Sequence, residues 1–276
     1  MKEPFGGGYV FISGATGGIG KAFARVFAVR GDKLFLTGRS ADKLAALKSE
    51  LEREYIKDCG AGENARILTF PCDLTDENSV KEMFAFIDGQ GVKFSGIINV
   101  AGVDIQKPFV AYTPEKLSFQ IKVNAESTLY ITHALLSRRE KGKMRIITIS
   151  SMSGASPMPY FATYSATKAM LVNFFTALRY ELKGQGVNVT TVMPGGVYTR
   201  PDVIADIKGQ GLWGKLSAKS PRFVAEKSVK ASDKNKMKYI PGFFNKFLYF
   251  VIKIAPERLV LRFIANRWKK QTKDAF

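Results

Sequence analysis

The amino-acid sequence predicts an α/β fold in which one doubly wound parallel sheet forms a single domain, followed by a C-terminal helical extension. Strand-like and helix-like segments alternate along the chain, which is typical of repeated β-α units with right-handed crossovers. The strand-like runs are continuously apolar and β-branched, as expected for strands that are buried on both faces. No internal repeat, low-complexity linker or charge break marks a second domain. We therefore predict one domain over residues 1–240 and a basic, apolar helical tail over residues 241–276.

Six short apolar runs predict the strands of this sheet. They lie at residues 8–13, 33–38, 65–70, 95–100, 144–150 and 187–193. Helical periodicity predicts the helices between them, at residues 17–31, 40–58, 75–88, 114–141 and 161–183. Ser40 occupies an N-cap position, and Ser220 followed by Pro221 marks the start of a later helix.

The first predicted strand leads into a glycine-rich loop in which Gly14, Gly18 and Gly20 precede a helix. Glycine lets the backbone turn tightly and approach a diphosphate without an intervening Cβ, and the helix N-terminus offers free N–H groups to the anion. Glycines also accumulate in ordinary turns, so it is the position directly after the first strand that favours a Rossmann-like dinucleotide site. The spacing is G-x-x-x-G-x-G rather than the G-x-G-x-x-G of the broader class.

The second predicted strand ends in the sequence TGRS, which contains Arg39. A site specific for NAD usually has an acidic residue here for the ribose 2′-hydroxyl group, whereas an arginine suits a 2′-phosphate. Arg39 therefore favours NADP(H). NAD(H) stays open as the alternative, because a solvated arginine at the start of a helix would carry no such meaning.

Seven short motifs occur in a fixed order along the chain: GATGGIG (14–20), CDLTD (72–76), NVAG (99–102), KVNAES (122–127), ITISSMSG (147–154), YSATK (164–168) and PGGVYT (194–199). In order and approximate spacing, these motifs resemble those of the short-chain dehydrogenases/reductases, specifically the single-domain, NADP-preferring members. The resemblance covers about residues 8 to 200 and, more loosely, extends to 240. It implies hydride transfer between a nicotinamide cofactor and a carbonyl carbon.

By that resemblance, four residues form the catalytic set: Asn124, Ser151, Tyr164 and Lys168. Tyr164 is the proton donor or acceptor for the substrate oxygen. Lys168 lies one turn later on the same helix face, where it lowers the pKa of the phenol and binds the nicotinamide ribose. Ser151 orients and polarises the substrate carbonyl, and Asn124 holds a water that relays protons. Ser151 and Tyr164 would therefore contact the substrate.

The same resemblance assigns a set of cofactor-binding residues. The set is Gly14, Thr16, Gly17, Gly18, Ile19, Gly20, Arg39, Asp73, Leu74, Asn99, Ala101, Gly102, Tyr164, Lys168, Pro194, Gly195, Val197 and Thr199. The sequence departs from the family at two positions. Ser13 replaces a threonine that many members have, and Gly17 replaces a basic residue that many NADP-preferring members carry.

The basic charge is concentrated after residue 200, where 17 Lys or Arg residues accompany 6 Asp or Glu residues in a chain of net charge +18. By the family resemblance, residues 200–231 would form the mobile substrate lid and a following helix, and Trp213 would either cover a substrate or anchor the packing. The tail is apolar and basic, with Pro256 between two helical stretches. It would lie on an anionic membrane surface, cover the substrate cleft or form an oligomer contact.

Several other classes of protein are disfavoured. No apolar run is long enough to span a bilayer, the N-terminus does not resemble a signal peptide, and no nucleic-acid recognition motif accompanies the basic charge. Cys59 and Cys72 match no metal motif and indicate free thiols in a reducing cytoplasm. His133, the only histidine, lies in a helical pattern, which favours a structural role over a catalytic one. We expect a cytoplasmic protein without a metal, either free or at a membrane surface.

The function that the sequence predicts is an NADP(H)-dependent oxidoreductase for a hydrophobic ketone or secondary alcohol, such as a steroid or another lipid. A 3-oxoacyl carrier-protein reductase is the alternative within the enzyme class, because an acidic partner would explain the basic charge. A non-catalytic NADPH-binding regulator is the alternative outside it. We expect a homodimer or homotetramer.

Overall fold

The computed structural model describes residues 6–56 and 67–269. Its centre is a sheet of seven parallel strands with helices on both faces. The strands are β1 (Tyr9–Ile12), β2 (Lys33–Gly38), β3 (Ile67–Pro71), β4 (Phe94–Asn99), β5 (Met144–Ile149), β6 (Val187–Val192) and β7 (Lys238–Tyr239). Their order across the sheet is β3-β2-β1-β4-β5-β6-β7, and each neighbouring pair is parallel. The direction of strand addition reverses between β1 and β4, as it does in a doubly wound sheet.

Eleven α-helices lie in the described part of the chain. They are α1 (Gly18–Val29), α2 (Ala41–Leu51), α3 (Glu77–Gly89), α4 (Pro114–Ile121), α5 (Ser127–Leu136), α6 (Ala162–Glu181), α7 (Pro201–Gly209), α8 (Gly211–Ser217), α9 (Pro221–Asp233), α10 (Phe243–Ile254) and α11 (Glu257–Trp268). Wider π-helical turns follow α2 at Glu52–Ile56 and join α4 to α5 at Lys122–Glu126.

Two apolar cores cover the two faces of the sheet. Along β1, Phe11 packs into one core, whereas its neighbours Val10 and Ile12 pack into the other, because side chains alternate across a strand. The first core contains apolar residues of α3, α5 and α6, and the second contains those of α1, α2 and α9. Burying one phenylalanine side chain such as Phe11 contributes about 1.5–3 kcal/mol to folding.

The predicted strands and caps are confirmed with small shifts in their bounds. Every predicted strand is present to within two residues at each end that the structure describes; residues 65–66 of the third predicted strand and 57–58 of the second predicted helix lie outside the described residues. Ser40 accepts a hydrogen bond from the backbone of Lys43, and Ser220 accepts one from Phe223 at the start of α9. The segment 114–141, predicted as one helical pattern, is divided by the π-helical turn, and the two-residue strand β7 was not predicted.

The C-terminal extension consists of α10 and α11, which are separated at Pro256. Across residues 6–56 and 67–269, no helix combines the length and the apolar character that crossing a bilayer requires. Cys72 is a buried free thiol, whereas Cys59 lies outside the described residues. His133 is exposed on α5.

Candidate active site

A large cavity of about 1440 Å³ opens at the carboxyl ends of the central strands. One end is lined by the loop between β1 and α1, the middle by the ends of β4 and β5, and the far end by α8, α10 and α11. In doubly wound sheets, ligands bind at this edge, where the strand order reverses. The cavity is long enough to connect the predicted cofactor residues with the tail.

The loop between β1 and α1 forms a backbone-lined cradle. Gly14 has a φ of 61°, and a Cβ on Gly20 would collide with the carbonyl oxygen of Gly14. At the start of α1, Gly17 provides no side-chain cap, and no acidic residue occupies the first turn. The helix therefore presents backbone N–H groups and a partial positive charge to the cavity, and this arrangement suits the diphosphate of a dinucleotide.

The adenosine end of the predicted site lies beside this cradle. Arg39 lines the cavity just after β2, and Asp73 and Leu74 line it after β3. The Asp73 carboxylate accepts hydrogen bonds from the backbone N–H and the hydroxyl group of Thr75, at 2.9 and 2.7 Å, which fixes the turn. Eighteen residues were predicted to bind the cofactor, and all of them except Asn99 line the cavity. Tyr164 and Lys168 line it from α6, and the others lie in the glycine loop, at strand ends or in loops.

Tyr164 and Lys168 lie one turn apart on α6 and both face the cavity. The Lys168 Nζ atom lies 5.6 Å from the centre of the Tyr164 ring and donates a hydrogen bond to the carbonyl of Ile149 at 3.1 Å. Burial lowers the pKa of Lys168 to about 8. Burial also raises the pKa of Tyr164 well above its usual value, and the negative charge of Asp104 raises it further. Both side chains are thus shifted towards their neutral forms.

Ser151 completes the group at the end of β5. Its hydroxyl group is hydrogen-bonded to Tyr164, which lowers the pKa of the phenol and partly opposes the effect of burial. The Ser151 oxygen also accepts a hydrogen bond from the backbone of Ser153 at 3.1 Å. The hydroxyl group of the preceding residue, Ser150, donates to the backbone carbonyl of Lys168 at 2.8 Å.

Two predicted asparagines lie behind the cavity wall rather than on it. Asn124, in the π-helical turn, is fully buried, and its side chain forms a pair of hydrogen bonds with the backbone N–H and carbonyl of Val103, at 2.7 and 2.9 Å. Asn99 donates to Thr132 and Thr148 at 3.0 and 3.2 Å and does not line the cavity. The Asn99 side chain therefore braces β4 against β5 and α5, and its assignment to the cofactor stays a prediction.

Asp104 was not predicted from the sequence. Its carboxylate lies 3.5 Å from the guanidinium of Arg200, which joins the loop after β4 to the start of α7 across the cavity. It raises the pKa of both Tyr164 and Lys168 by its negative charge. In the sequence, Asp104 is only an acidic residue two positions after the NVAG motif. Its effect on Tyr164 arises when folding brings the two residues together.

Aromatic side chains form the far wall of the cavity. Phe161 stacks on Tyr164 with ring centres 4.3 Å apart, and Trp268 of α11 packs on Phe161 at 6.3 Å. Trp213 of α8 packs against Phe244 at 5.2 Å. Trp213 thus lines the cavity and also anchors the packing of the tail. The tail thus reaches Tyr164 through a continuous set of ring contacts.

Comparison with known proteins agrees with this geometry. The sequence profile of the family described as short chain dehydrogenase matches residues 8–204. A very-long-chain 3-oxoacyl-CoA reductase from Meyerozyma guilliermondii is 34% identical over 197 residues, which are 68% of this chain but only 55% of that relative. The NADP-dependent 3-hydroxy acid dehydrogenase YdfG of Salmonella typhi is 34% identical over 188 residues, or 67% of this chain and 71% of the relative.

A solved structure of similar fold extends over the tail as well. It comes from a study of 7beta-hydroxysteroid dehydrogenase stereoselectivity and superposes with a TM-score of 0.79. The match covers 94% of this chain and 96% of that chain, at 24% sequence identity. At this identity the likeness establishes the fold, including the parallel sheet and its flanking helices.

Proposed function

The chain belongs to the short-chain dehydrogenase/reductase family, whose members act on CH–OH groups, and on that premise we propose that it interconverts an apolar ketone and a secondary alcohol with NADP(H). The observation that carries this proposal is the placement of Ser151, Tyr164 and Lys168 together on one cavity wall, beside the glycine cradle. A binding protein without turnover would have no need for a hydrogen-bonded serine and tyrosine beside a buried lysine.

The chain's own residues handle the proton and orient the carbonyl. Bound NADPH supplies the hydride that reduces the carbonyl carbon. The Ser151 hydroxyl donates a hydrogen bond to the carbonyl oxygen, and the Tyr164 hydroxyl transfers its proton to that oxygen, so that a ketone becomes an alcohol. The phenolate that remains is stabilised by the ammonium group of Lys168, because an opposite charge nearby favours the ionised form. In the reverse direction the phenolate accepts the proton.

Asn124 acts on this group from behind the wall. Its two hydrogen bonds hold the backbone of Val103, which continues into Asp104. A π-helical turn at this point displaces the side chain relative to a regular helix, and such turns are frequent at functional sites. We propose that Asn124 fixes the cavity wall opposite Lys168 and holds the water that relays protons past it.

The preference for NADP(H) rests on Arg39. It lines the cavity at the end of β2, where a 2′-phosphate would lie, and no acidic residue takes the place that NAD-specific sites usually reserve for one. The Salmonella relative is named as NADP-dependent, which supports the same choice. NAD(H) remains the alternative cofactor, and the competition of the two for the enzyme distinguishes them.

The far wall of the cavity favours an apolar substrate. Phe161, Trp213 and Phe247 line it together with other apolar residues of α10 and α11. One relative is named a very-long-chain 3-oxoacyl-CoA reductase, and a long acyl chain is in keeping with such a wall. We propose that the substrate is a steroid-like or lipid-like ketone.

The test is NADPH oxidation with a panel of steroid ketones, 3-oxoacyl thioesters and small diketones. Turnover of the apolar ketones supports the proposal. Exclusive turnover of 3-oxoacyl groups attached to carrier protein would identify the carrier-protein reductase instead. Tight NADPH binding with no turnover of any ketone would favour the non-catalytic regulator.

The tail also carries an exposed apolar stripe on α10. Four large apolar side chains, between 54% and 87% exposed, fall within an arc of about 60° of the helix: Phe243, Phe247, Phe250 and Ile254. Lys246 and Lys253 flank the stripe along one side. On α11, Leu259 and Phe263 are exposed in the same way, beside Arg258 and Arg262. An apolar stripe flanked by basic residues suits an anionic lipid surface, and we propose that this face contacts one.

Sedimentation with vesicles tests the membrane contact. The full chain should bind phosphatidylglycerol vesicles more strongly than phosphatidylcholine vesicles, and salt should weaken this binding. Phe250→Ser should reduce the binding, whereas Tyr180→Ser, a similarly exposed aromatic residue on α6, should not. Equal sedimentation of both variants would refute the proposal. A drop in molecular mass for Phe250→Ser without vesicle binding would assign the stripe to the contact of the expected homodimer or homotetramer.

A further inference from the structure

A single arginine projects into the otherwise apolar far end of the cavity. Arg267 of α11 is half-buried and lines the cavity together with Gln210, Trp213 and Trp268. Its guanidinium carbon lies 5.1 Å from the Trp213 ring and 5.9 Å from the Trp268 ring. Its Nη2 atom donates a hydrogen bond to the side-chain oxygen of Gln210 at 3.0 Å. The guanidinium is therefore held in place by two rings and one neutral amide.

The charge of Arg267 has no carboxylate against it in the part of the chain that the structure describes. No Asp or Glu oxygen of residues 6–56 and 67–269 forms an ion pair with it, whereas the cavity arginine at the start of α7, Arg200, is paired with both Asp104 and Asp202. Burial lowers the pKa of Arg267, which reflects the cost of removing the cation from water. A partly desolvated cation with neutral neighbours is energetically unfavourable unless an anion binds beside it.

The position of Arg267 places it on the substrate side of the catalytic group. Trp268, the next residue, packs on Phe161, which in turn stacks on Tyr164. Arg39 and the glycine cradle lie at the opposite end, where the cofactor diphosphate and adenosine would bind. An anion that meets Arg267 would thus belong to the substrate and not to the cofactor.

We propose that Arg267 binds an anionic group, a carboxylate or phosphate, on the apolar ketone substrate. This inference rests on the proposed function, since it names a second feature of the substrate that the same site reduces. The two tryptophan rings would hold the planar guanidinium so that its remaining N–H groups face the cavity, and a forked donor of this kind suits a carboxylate or phosphate. The substrate would then be an amphiphile, with an apolar body along the aromatic wall and a charged group at Arg267.

The first experiment compares long-chain oxo acids with their methyl esters, which differ only in the negative charge. The position of the oxo group is varied along the chain to find the spacing that fits. For the best-fitting spacing, the wild-type enzyme should show a KM about tenfold or more lower for the acid than for the ester, the range expected for a charge-assisted hydrogen bond. Equal KM values for acid and ester at every spacing would overturn the proposal.

The second experiment separates binding of the anion from a purely structural role. Arg267→Gln should raise KM for the acid about tenfold and leave KM for the ester and the affinity for NADPH unchanged. The control Lys269→Gln changes an exposed cation two residues away, outside the cavity, and should alter neither substrate. If Arg267→Gln raises KM for acid and ester alike, Arg267 only braces α11 against α8. Arg267→Lys keeps the charge and should keep part of the preference for the acid, should the glutamine variant not fold.

A readout that does not depend on turnover is built into the site. The two tryptophans of the chain, Trp213 and Trp268, are the two rings beside Arg267. Binding of an oxo acid should therefore change the intrinsic fluorescence, with a lower Kd than its ester, even if the ketone is not reduced. Fluorescence that favours the acid without turnover would refute the proposed reaction but not the anion site. Turnover without any preference for the acid would refute the anion site alone.

Discussion

Replacing Lys168 with methionine removes the positive charge beside Tyr164 while keeping a side chain of similar length. The ammonium nitrogen lies 5.6 Å from the centre of the tyrosine ring. At an effective dielectric constant of about 20, a unit charge at this distance stabilises the phenolate by about 3 kcal/mol, or about 2 pH units of its pKa. Lys168→Met should therefore raise the pKa of Tyr164 by about 2 pH units.

The direction of the effect on activity follows from the role of the phenolate. Alcohol oxidation needs the ionised tyrosine, so its kcat should rise with pH through the pKa of Tyr164. Lys168→Met should therefore lower kcat about 100-fold at any pH at which Lys168 carries its charge in the wild type. Because burial lowers the pKa of Lys168 to about 8, its charge supports the phenolate below that pH and is lost above it. The difference between wild type and variant should therefore be largest below pH 8.

The assay is the pH dependence of kcat for alcohol oxidation at saturating NADP⁺, measured for wild type, Lys168→Met and Lys168→Arg. The arginine variant retains a positive charge and should keep its profile close to that of the wild type. If Lys168→Met loses activity by the same factor below and above pH 8, then Lys168 acts through the cofactor ribose alone. The electrostatic account of the phenol pKa would then be wrong.

Four other substitutions test separate parts of the site. Tyr164→Phe should abolish turnover and leave NADPH binding intact, whereas Lys168→Ala should weaken both; equal NADPH affinity of the two variants in a fluorescence titration would contradict these roles. Arg39→Asp should cost NADPH roughly 10- to 150-fold in affinity, from a contact of about 1.5–3 kcal/mol, so that NADH is preferred; an unchanged preference in competition assays would argue against a 2′-phosphate site. Asp104→Asn removes a negative charge that raises the pKa of Tyr164, so the pH profile of alcohol oxidation should move to lower pH, and a profile moved upward would show that the sign is wrong.

The local features of the fold and site were predictable because their signals are local. A continuous apolar run, a capping serine or a glycine loop needs only neighbouring residues, so the six predicted strands and both serine caps are present. Tyr164 and Lys168 fall on one face because four residues of a helix bring side chains together. The structure adds the distance between them and the effect of burial on both pKa values, which no spacing supplies.

The features that the sequence did not predict depend on contacts between distant segments. Strand β7 has two residues, and it exists because Lys238 and Tyr239 pair with Thr191 and Val192 of β6. The π-helical turn within the predicted helical segment 114–141 coincides with the pairing of Asn124 with a loop more than twenty residues away. A helical pattern contains no sign of such a turn, since the residues on either side keep their periodicity.

Ion pairs at the edge of the sheet opposite the cavity also depend on contacts between distant segments. Arg145, at the start of β5, is fully buried and forms an ion pair at 3.2 Å with Asp233, the last residue of α9. Asp233 also pairs with Arg30, at the end of α1. Burial lowers the pKa of Arg145 to about 10, which reflects the cost of removing its charge from water. The ion pair with Asp233 offsets part of that cost.

This buried pair bears on how the cavity works. It anchors the C-terminal end of α9 to β5 and α1, while the preceding helices α7 and α8 contact the cavity through Arg200 and Trp213. The charges of Arg145, Asp233 and Arg30 thus lie at the edge of the sheet away from the cavity. At the cavity mouth, the ion pair between Asp104 and Arg200 links the loop after β4 to the residue before α7. The pair between Asp104 and Arg200 is partly exposed, and such pairs contribute about 1 kcal/mol or less, so it holds the start of α7 only weakly to the loop after β4. Because the buried ion pairs anchor α9 to β5 and α1, we expect a movement of α7 to leave the sheet that positions Tyr164 in place.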